Sequence, residues 1–259
     1  MMVVKTKALI LRGIPVGDQD RLLTMLSAEL GVISVSARGV ARNGNRLAAA
    51  TQPMMYGEYM LFQGTSRYSL NQGEVIASFF DLALEPERYE RAVRLLSMSA
   101  DAGMVPEAAA EVLELTLHAL HRLMPNTKVP MDPDLVVGIF ELKMLQISGL
   151  TPHLTGCIQC GTSAIDQIRF SHRHGGFLCE QCDPGDPSAV PVSAGVAKAM
   201  LYTLCAPVRS LFRFELAAPQ VGNFLDVVSR YAEERWEKRH ARKRSLYADA
   251  DGSAGASDS

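Results

Sequence analysis

The chain has 259 residues, of which 47% are hydrophobic and 21% charged, and a formal net charge of −2. That length and apolar content suit about two domains with real cores. A near-neutral balance excludes a general nucleic-acid sponge, and no run approaches the ~20 apolar residues of a membrane span.

The charge is unevenly spread. Residues 1–80 carry eight Lys or Arg against five Asp or Glu, residues 230–244 carry seven against three, and residues 81–229 carry eleven against seventeen. An acidic middle thus separates two basic ends. The first apolar run, residues 8–11, is too short for a signal peptide, and the cysteine usage suits a reducing compartment, so a cytoplasmic protein is expected.

In chain order, residues 2–80 read as β-rich. Residues 3–11 form a strand candidate with Lys5 and Lys7 on one parity, punctuated by Gly13, Pro15 and Gly17. Leu22, Leu23, Met25 and Leu26 leave residues 21–30 open between helix and strand. Ser34 and Ser36 alternate with apolar neighbours over residues 32–37. A basic, glycine-bearing loop follows, with Arg38, Arg42 and Arg46 spaced four apart. Residues 54–62 alternate again, and Gly64-Thr65 turns the chain into a strand over 67–76. Such short, closely spaced strands predict a small barrel. An arginine loop suits a phosphate backbone, and rings on a sheet face suit stacked bases. Alternation puts at least half of Tyr56, Tyr59, Phe62 and Tyr68 inside. Lys5, Lys7, Arg12 and Arg21 are weaker candidates for the same phosphate role, set against ordinary solvated surface.

Residues 82–150 switch to helical periodicity. Pro86 opens a helix running to about Gly103. A second opens after Pro106, with Leu113, Leu117, Leu120 and Met124 as its stripe. A third has Asp132 as N-cap and Pro133 in its first turn. Glu141 and Lys143 are expected to face solvent. Ser193 caps a further helix through Cys205, and a long helix begins near Pro219. Its later half turns basic at Lys238, Arg239, Arg242 and Lys243, either a further DNA track or a solvated helix end. Residues 248–259 are small and acidic and read as a disordered tail.

Four of the five cysteines stand in the stretch 154–183, as Cys157-x-x-Cys160 and Cys179-x-x-Cys182 with eighteen residues between the pairs. Two disulfides would need an oxidising compartment, a redox pair a βαβ context, and a catalytic metal an open coordination position. The spacing fits one structural zinc per chain, held by all four thiolates. His153, His172 and His174 flank the pairs as surface residues, and residues 183–191 read as a linker leading out. Cys205 reads as core.

Several motifs together resemble the bacterial RecO family of recombination mediators. They are Gly17-Asp18-Gln19-Asp20-Arg21 leading into Leu22-Leu23-Thr24, and Gly31-Val32-Ile33 before Ala37-Arg38-Gly39. Gln52-Pro53, Glu74-Val75, Phe140-Glu141-Leu142-Lys143 and Gly149-Leu150-Thr151-Pro152 follow in order, then Phe170-Ser171 with Gly175-Gly176-Phe177-Leu178-Cys179, and last Arg244-Ser245-Leu246. The resemblance covers about residues 3–247. It implies an α+β chain: an N-terminal OB-fold β-barrel in residues 1–80, a helical domain in 81–247 carrying the embedded four-cysteine zinc module, and the tail.

The resemblance further implies binding of single- and double-stranded DNA, annealing of complementary strands, and loading of the RecA recombinase onto strands coated with single-strand-binding protein. Implied partners are RecR and the C-terminal tail of single-strand-binding protein, with RecF and RecA indirectly; no membrane and no catalytic residues are implied. Asn43 stands where the family usually carries a further Lys or Arg. The acidic helical domain is the expected protein-binding part, with Arg91, Arg94 or Arg122 at the rim of an apolar groove for the acidic tail. Two other classes compete. A zinc-ribbon transcription or translation factor would show sequence preference and no annealing. A zinc hydrolase or nuclease would need an Asp/Glu/His cluster.

Overall fold

The computed structural model describes residues 2–253 apart from 43, 66, 128–129, 164–166 and 183–184, with side chains described to residue 237. The chain divides into two compact units, residues 1–149 with 205–215, and residues 150–204 with 216–259.

The first unit opens with five strands: β1 (Met2–Val16), β2 (Asp20–Ser27), β3 (Gly31–Ala37), β4 (Met55–Gln63) and β5 (Tyr68–Ser78). They close into a barrel in the order β1-β2-β3-β5-β4, in which β3 and β5 run parallel and the other pairs antiparallel. This is the OB-fold arrangement. Period-two alternation builds it: Met55, Gly57, Tyr59 and Leu61 of β4 are buried while Tyr56, Glu58, Met60 and Phe62 alternate outward. Tyr59 fills the interior beside Ile10, Leu23, Met25 and Val35. Its hydroxyl donates to the Ala50 carbonyl at 3.0 Å, fastening the one-turn helix α1 (Leu47–Ala50) to the barrel. Burial pushes the Tyr59 hydroxyl well above its ordinary pKa. Gly73 lies across from Tyr59, and a Cβ there would come within 2.9 Å of the ring, so only glycine leaves room.

Residues 21–30, undecided from the sequence, lie mostly in strand β2. Leu23 and Met25 point into the barrel, whereas Leu26 is buried on the other face against Gly103. Burial on both faces at one end of the strand breaks the alternation that would have marked it.

Three helices complete this unit: α2 (Pro86–Ala102), α3 (Pro106–Leu123) and α4 (Pro133–Ile147). They pack on one another, and α2 and α3 also lie against the barrel. The Val32 N–H donates to the Gly103 carbonyl at 3.1 Å. The barrel and the first helices, expected as separate domains, therefore share one unit. Proline stands in the first turn of each helix, where the missing N–H costs nothing. The Asp132 carboxylate accepts from the Asp134 and Leu135 N–H groups, capping α4. Between α2 and α3, Ser99 Oγ and Thr116 Oγ1 meet at 2.7 Å in full burial, one hydroxyl donating to the other and the second to a carbonyl of its own helix.

Helix α4 corrects one expectation. It is buried continuously from Leu135 to Leu145, including Glu141 and Lys143. A helix apolar all round belongs in a core, and its polar residues must then find partners there. Glu141 pairs with Arg94 of α2, and Lys143 Nζ donates to the Ala206 carbonyl at 3.2 Å. Burial pushes the Lys143 pKa down.

The second unit holds a three-stranded sheet in the order β7-β6-β8, from β6 (Ile168–Ser171), β7 (Gly176–Leu178) and β8 (Ala189–Val192). The last residues of the stretch read as a linker, 189–191, are part of the module, because β8 pairs along the free side of β6. Pro191 is tolerated there since β8 is an edge strand. Two helices follow, α5 (Ala194–Cys205) and α6 (Ala218–Ser253). The Ser193 hydroxyl accepts the Val196 N–H at 3.3 Å, the cap the sequence predicts. The backbone of α6 continues past residue 248 to Ser253, so the first part of the expected tail is helical, and residues 254–259 lie outside the described residues. The side chains of Lys238, Arg239, Arg242 and Lys243 also lie outside them. No described helix is long and apolar enough to cross a membrane.

Candidate metal centre and nucleic-acid interface

The two Cys-x-x-Cys pairs converge. The four sulfurs of Cys157, Cys160, Cys179 and Cys182 lie within 4.8 Å of one another, the one such ligand group among the described residues. Cys160 Sγ and Cys179 Sγ are 3.8 Å apart. A tetrahedron with metal–sulfur bonds of ~2.3 Å has edges of ~3.8 Å, so this spacing fits a four-coordinate ion. Cys157 sits in a tight knuckle: its N–H donates to the Thr162 carbonyl at 2.8 Å, and its carbonyl accepts the Gly161 N–H at 2.8 Å. Gly161 has φ +75°, a conformation that favours glycine.

The electrostatics suit thiolates. Burial pushes the Cys157 thiol up, but backbone N–H groups of Cys160, Cys179 and Gln159 aimed at the sulfur outweigh it and bring it to about 6. Cys182 is pushed up to about 12, chiefly by hydrogen bonding with the Cys179 and Cys160 sulfurs. Four sulfurs this close cannot all ionise without a cation between them.

The flanking histidines and the former linker hold the module together. Ser171 Oγ donates to Asp186 Oδ2 at 2.6 Å and lies 3.0 Å from His174 Nδ1. These bonds, the Ser171 hydroxyl first, hold the Asp186 carboxyl far below the usual carboxylate range. His172, expected at the surface, is buried, with its ring nitrogens 2.9 Å from the Ser188 carbonyl and 3.2 Å from the Val227 carbonyl.

The second candidate is the loop between β3 and α1. Arg38, Arg42 and Arg46 are all exposed on it. The turn between β1 and β2 braces this loop. Asp20 Oδ1 accepts the Gly39 N–H at 2.7 Å, Gln19 O accepts the Ala41 N–H at 3.0 Å, and Arg42 Nε donates to Gln19 Oε1 at 2.5 Å. Asn45 closes the loop on itself through the Gly39 carbonyl at 2.8 Å. Neither Gln19, Asp20 nor Asn45 was assigned a role from the sequence, although the motif around residues 17–21 marked the first two. Asn43 lies outside the described residues.

The other cations are placed unequally. Arg12 is exposed on β1 opposite Thr24. Arg21 is half-buried, its guanidinium 3.4 Å from Thr51 Oγ1. Lys5 and Lys7 sit toward the other end of β1, ~30 Å along the strand from the β1–β2 turn. Lys5 is paired with Glu58 at 2.9 Å, and Lys7 stands across from the same residue. The structure therefore groups Arg38, Arg42 and Arg46 at one end and leaves the two lysines apart. Arg67, exposed in the β4–β5 turn, is a cation that no sequence motif marks. Of the barrel aromatics, Tyr59 is interior and Tyr68 packs on the core, while Tyr56 and Phe62 lie half-exposed on β4. Among the cations expected at a peptide groove, Arg91 pairs with Asp134 at 2.7 Å and Arg94 with Glu141, so both hold α2 to α4. Arg122 is half-buried near the end of α3.

Comparison with known proteins adds to this geometry. The profile described as "Recombination protein O N terminal" matches residues 1–79, and "Recombination protein O C terminal" matches residues 100–244. A DNA repair protein RecO of Acetivibrio thermocellus is 32% identical over 242 residues, covering 93% of this chain and 95% of its own. That of Alkaliphilus metalliredigens is 30% identical over 218 residues, covering 83% and 86%. That of Bacillus subtilis is 29% identical over 243 residues, covering 90% and 89%.

Proposed function

This chain belongs to the RecO family of DNA repair proteins, and from that premise we propose that it binds single- and double-stranded DNA, anneals complementary strands, and helps load RecA onto strands coated with single-strand-binding protein. The observation that carries the reading is the braced loop, which holds three exposed arginines at one end of an OB-fold barrel. Phosphate contacts there lower the repulsion between two strands brought together, and annealing needs nothing more than that and access to the bases. The reading is non-enzymatic, because pairing strands makes and breaks no covalent bond. Arg38, Arg42 and Arg46 carry the contacts, with Arg12 and Arg21 nearby and Lys5 and Lys7 a weaker patch. The four cysteines hold one zinc, which neutralises their thiolates and staples a module with little core of its own. RecR and the tail of single-strand-binding protein are the direct partners, RecF and RecA the indirect ones, and the chain works in the cytoplasm on the nucleoid.

The test is annealing of complementary oligonucleotides coated with single-strand-binding protein. Annealing faster with the purified chain than without it is the expected result. Tight binding to one duplex sequence with no annealing would point instead to a sequence-reading factor, and metal-dependent cleavage to a nuclease.

A further inference from the structure

We infer that the cleft beside the arginine loop is a pocket for one unpaired nucleobase of the bound strand. The inference rests on the DNA-binding reading and adds a subsite to it. The cleft encloses about 370 Å³, room for a base with its sugar. Arg21, Thr51 and Gln52 supply its polar lining, and Phe80 and Tyr89 its aromatic lining. Phe80 and Tyr89 are each 47% exposed.

Three observations support a base in this cleft, the aromatic lining being the one that a bare phosphate would not use. First, the Arg21 guanidinium is oriented before any ligand arrives, by Thr51 at 3.4 Å and, with the Gln52 amide turned to accept, by Gln52 at 3.0 Å. The fork and the Gln52 amide N–H groups then face the cleft as fixed donors for the carbonyl oxygens and ring nitrogens of a base edge. Second, exposed aromatic rings at the same cleft suit stacking, which every base supports. Third, Met54 lines the cleft at φ +68°, the one non-glycine residue with positive φ among the described residues. Its N–H donates to the Ile10 carbonyl at 2.9 Å and its carbonyl accepts the Phe79 N–H at 3.1 Å, so the backbone is fixed in a conformation that such residues avoid. Strain held this firmly clusters at ligand sites.

The cleft is also where a strand on the loop would reach. Arg21 is paired across β2–β3 with Ala37, next to Arg38, and its neighbour Asp20 holds Gly39. Phosphates held by the arginines would carry a base to the mouth of the cleft.

The experiment titrates the chain with oligothymidylate and with an abasic strand of equal phosphate number, across a salt series, for the wild type and for Tyr89→Ala and Gln52→Ala, each checked for folding by thermal melting. The wild type should prefer the base-bearing strand about tenfold, the scale of one base–aromatic stack. Each variant should lose most of that preference and keep its abasic-strand affinity and salt slope. Equal wild-type affinity for the two strands overturns the pocket and leaves the DNA reading standing. So does a folded variant that retains the preference, or one weakened equally on both strands. Wild-type binding to neither strand overturns the DNA reading itself.

Discussion

Asp20 Oδ1 accepts the Gly39 N–H at 2.7 Å, and this bond spans nineteen residues of sequence. It makes one unit of two motifs that look independent in the chain, the acidic turn after β1 and the Ala-Arg-Gly at the end of β3. Gly39 adopts φ +64°, and the carboxylate fixes its N–H in that turn. The arginine loop is thereby ordered before a strand arrives, which lowers the entropic cost of binding. Asp20→Ala should leave the barrel folded, speed hydrogen exchange at the Gly39 and Ala41 amides, and weaken single-strand binding by about threefold to tenfold through ordering alone. Unchanged exchange at Gly39 would show that the loop is held without the carboxylate.

The three loop arginines carry a distinct signature, because each phosphate contact releases counterions. Changing Arg38, Arg42 and Arg46 together to Ala should lower the slope of log affinity against log salt by about 2 on single strands, at ~0.7 per contact. Lys5→Ala with Lys7→Ala should change the slope less, since both lysines face Glu58. Equal slopes for the wild type and the triple variant would move the DNA track elsewhere on the barrel.

Much of the fold is legible in the sequence where one rule acts alone. Pro86, Pro106 and Asp132-Pro133 mark helix starts because a first turn needs no N–H and welcomes a side-chain acceptor. The cysteine spacing marks the four-sulfur cluster because each knuckle is local. What escapes is non-local. Leu26 is buried only because Gly103 comes from 77 residues away, and β8 is a strand only because β6 has a free side to pair. Glu141 and Lys143 read as surface by residue type, and only their partners on other elements make their burial tolerable. In the loop, three arginines are visible as charge, but the residues that brace them are uncharged or acidic and appear only in three dimensions.

The Arg94–Glu141 pair gives a stability prediction with an internal control. Glu141 is 0% exposed and the Arg94 side chain 42%, so removing the arginine takes a charge partner from a buried carboxylate while removing both does not. Arg94→Ala should cost ~2–3 kcal/mol, below the usual range for a fully buried pair because the guanidinium is partly solvated. The double change Arg94→Met with Glu141→Leu should recover most of that. Urea unfolding at constant m-value measures both, and a double variant as weak as the single would mean that the pair's geometry, not its uncompensated charge, holds α2 to α4.

The metal site predicts opposite pH behaviour with and without its ion. In the metal-free chain, Cys157 lies at about 6, below its ordinary 9.0, so it ionises more readily folded than unfolded. Its contribution is complete above pH 9 and is lost as pH falls through about 6. Cys182 lies at about 12, above its ordinary 9.0, so its contribution is complete below pH 9 and is lost as pH rises through about 12. Metal-free stability of the module should therefore peak near pH 9. With zinc, the bound thiolates stay ionised, so stability should be flat through neutral pH and fall only in acid, where protons displace the ion. Purified protein should hold about one zinc per chain, and Cys157→Ala should abolish its binding and lower the stability of the module to that of the chelated protein. Thermal melts of loaded and chelated protein from pH 5 to 10, with metal analysis and thiol titration, check this. Four freely titrating thiols in metal-free, fully folded protein would show that the cluster needs no ion.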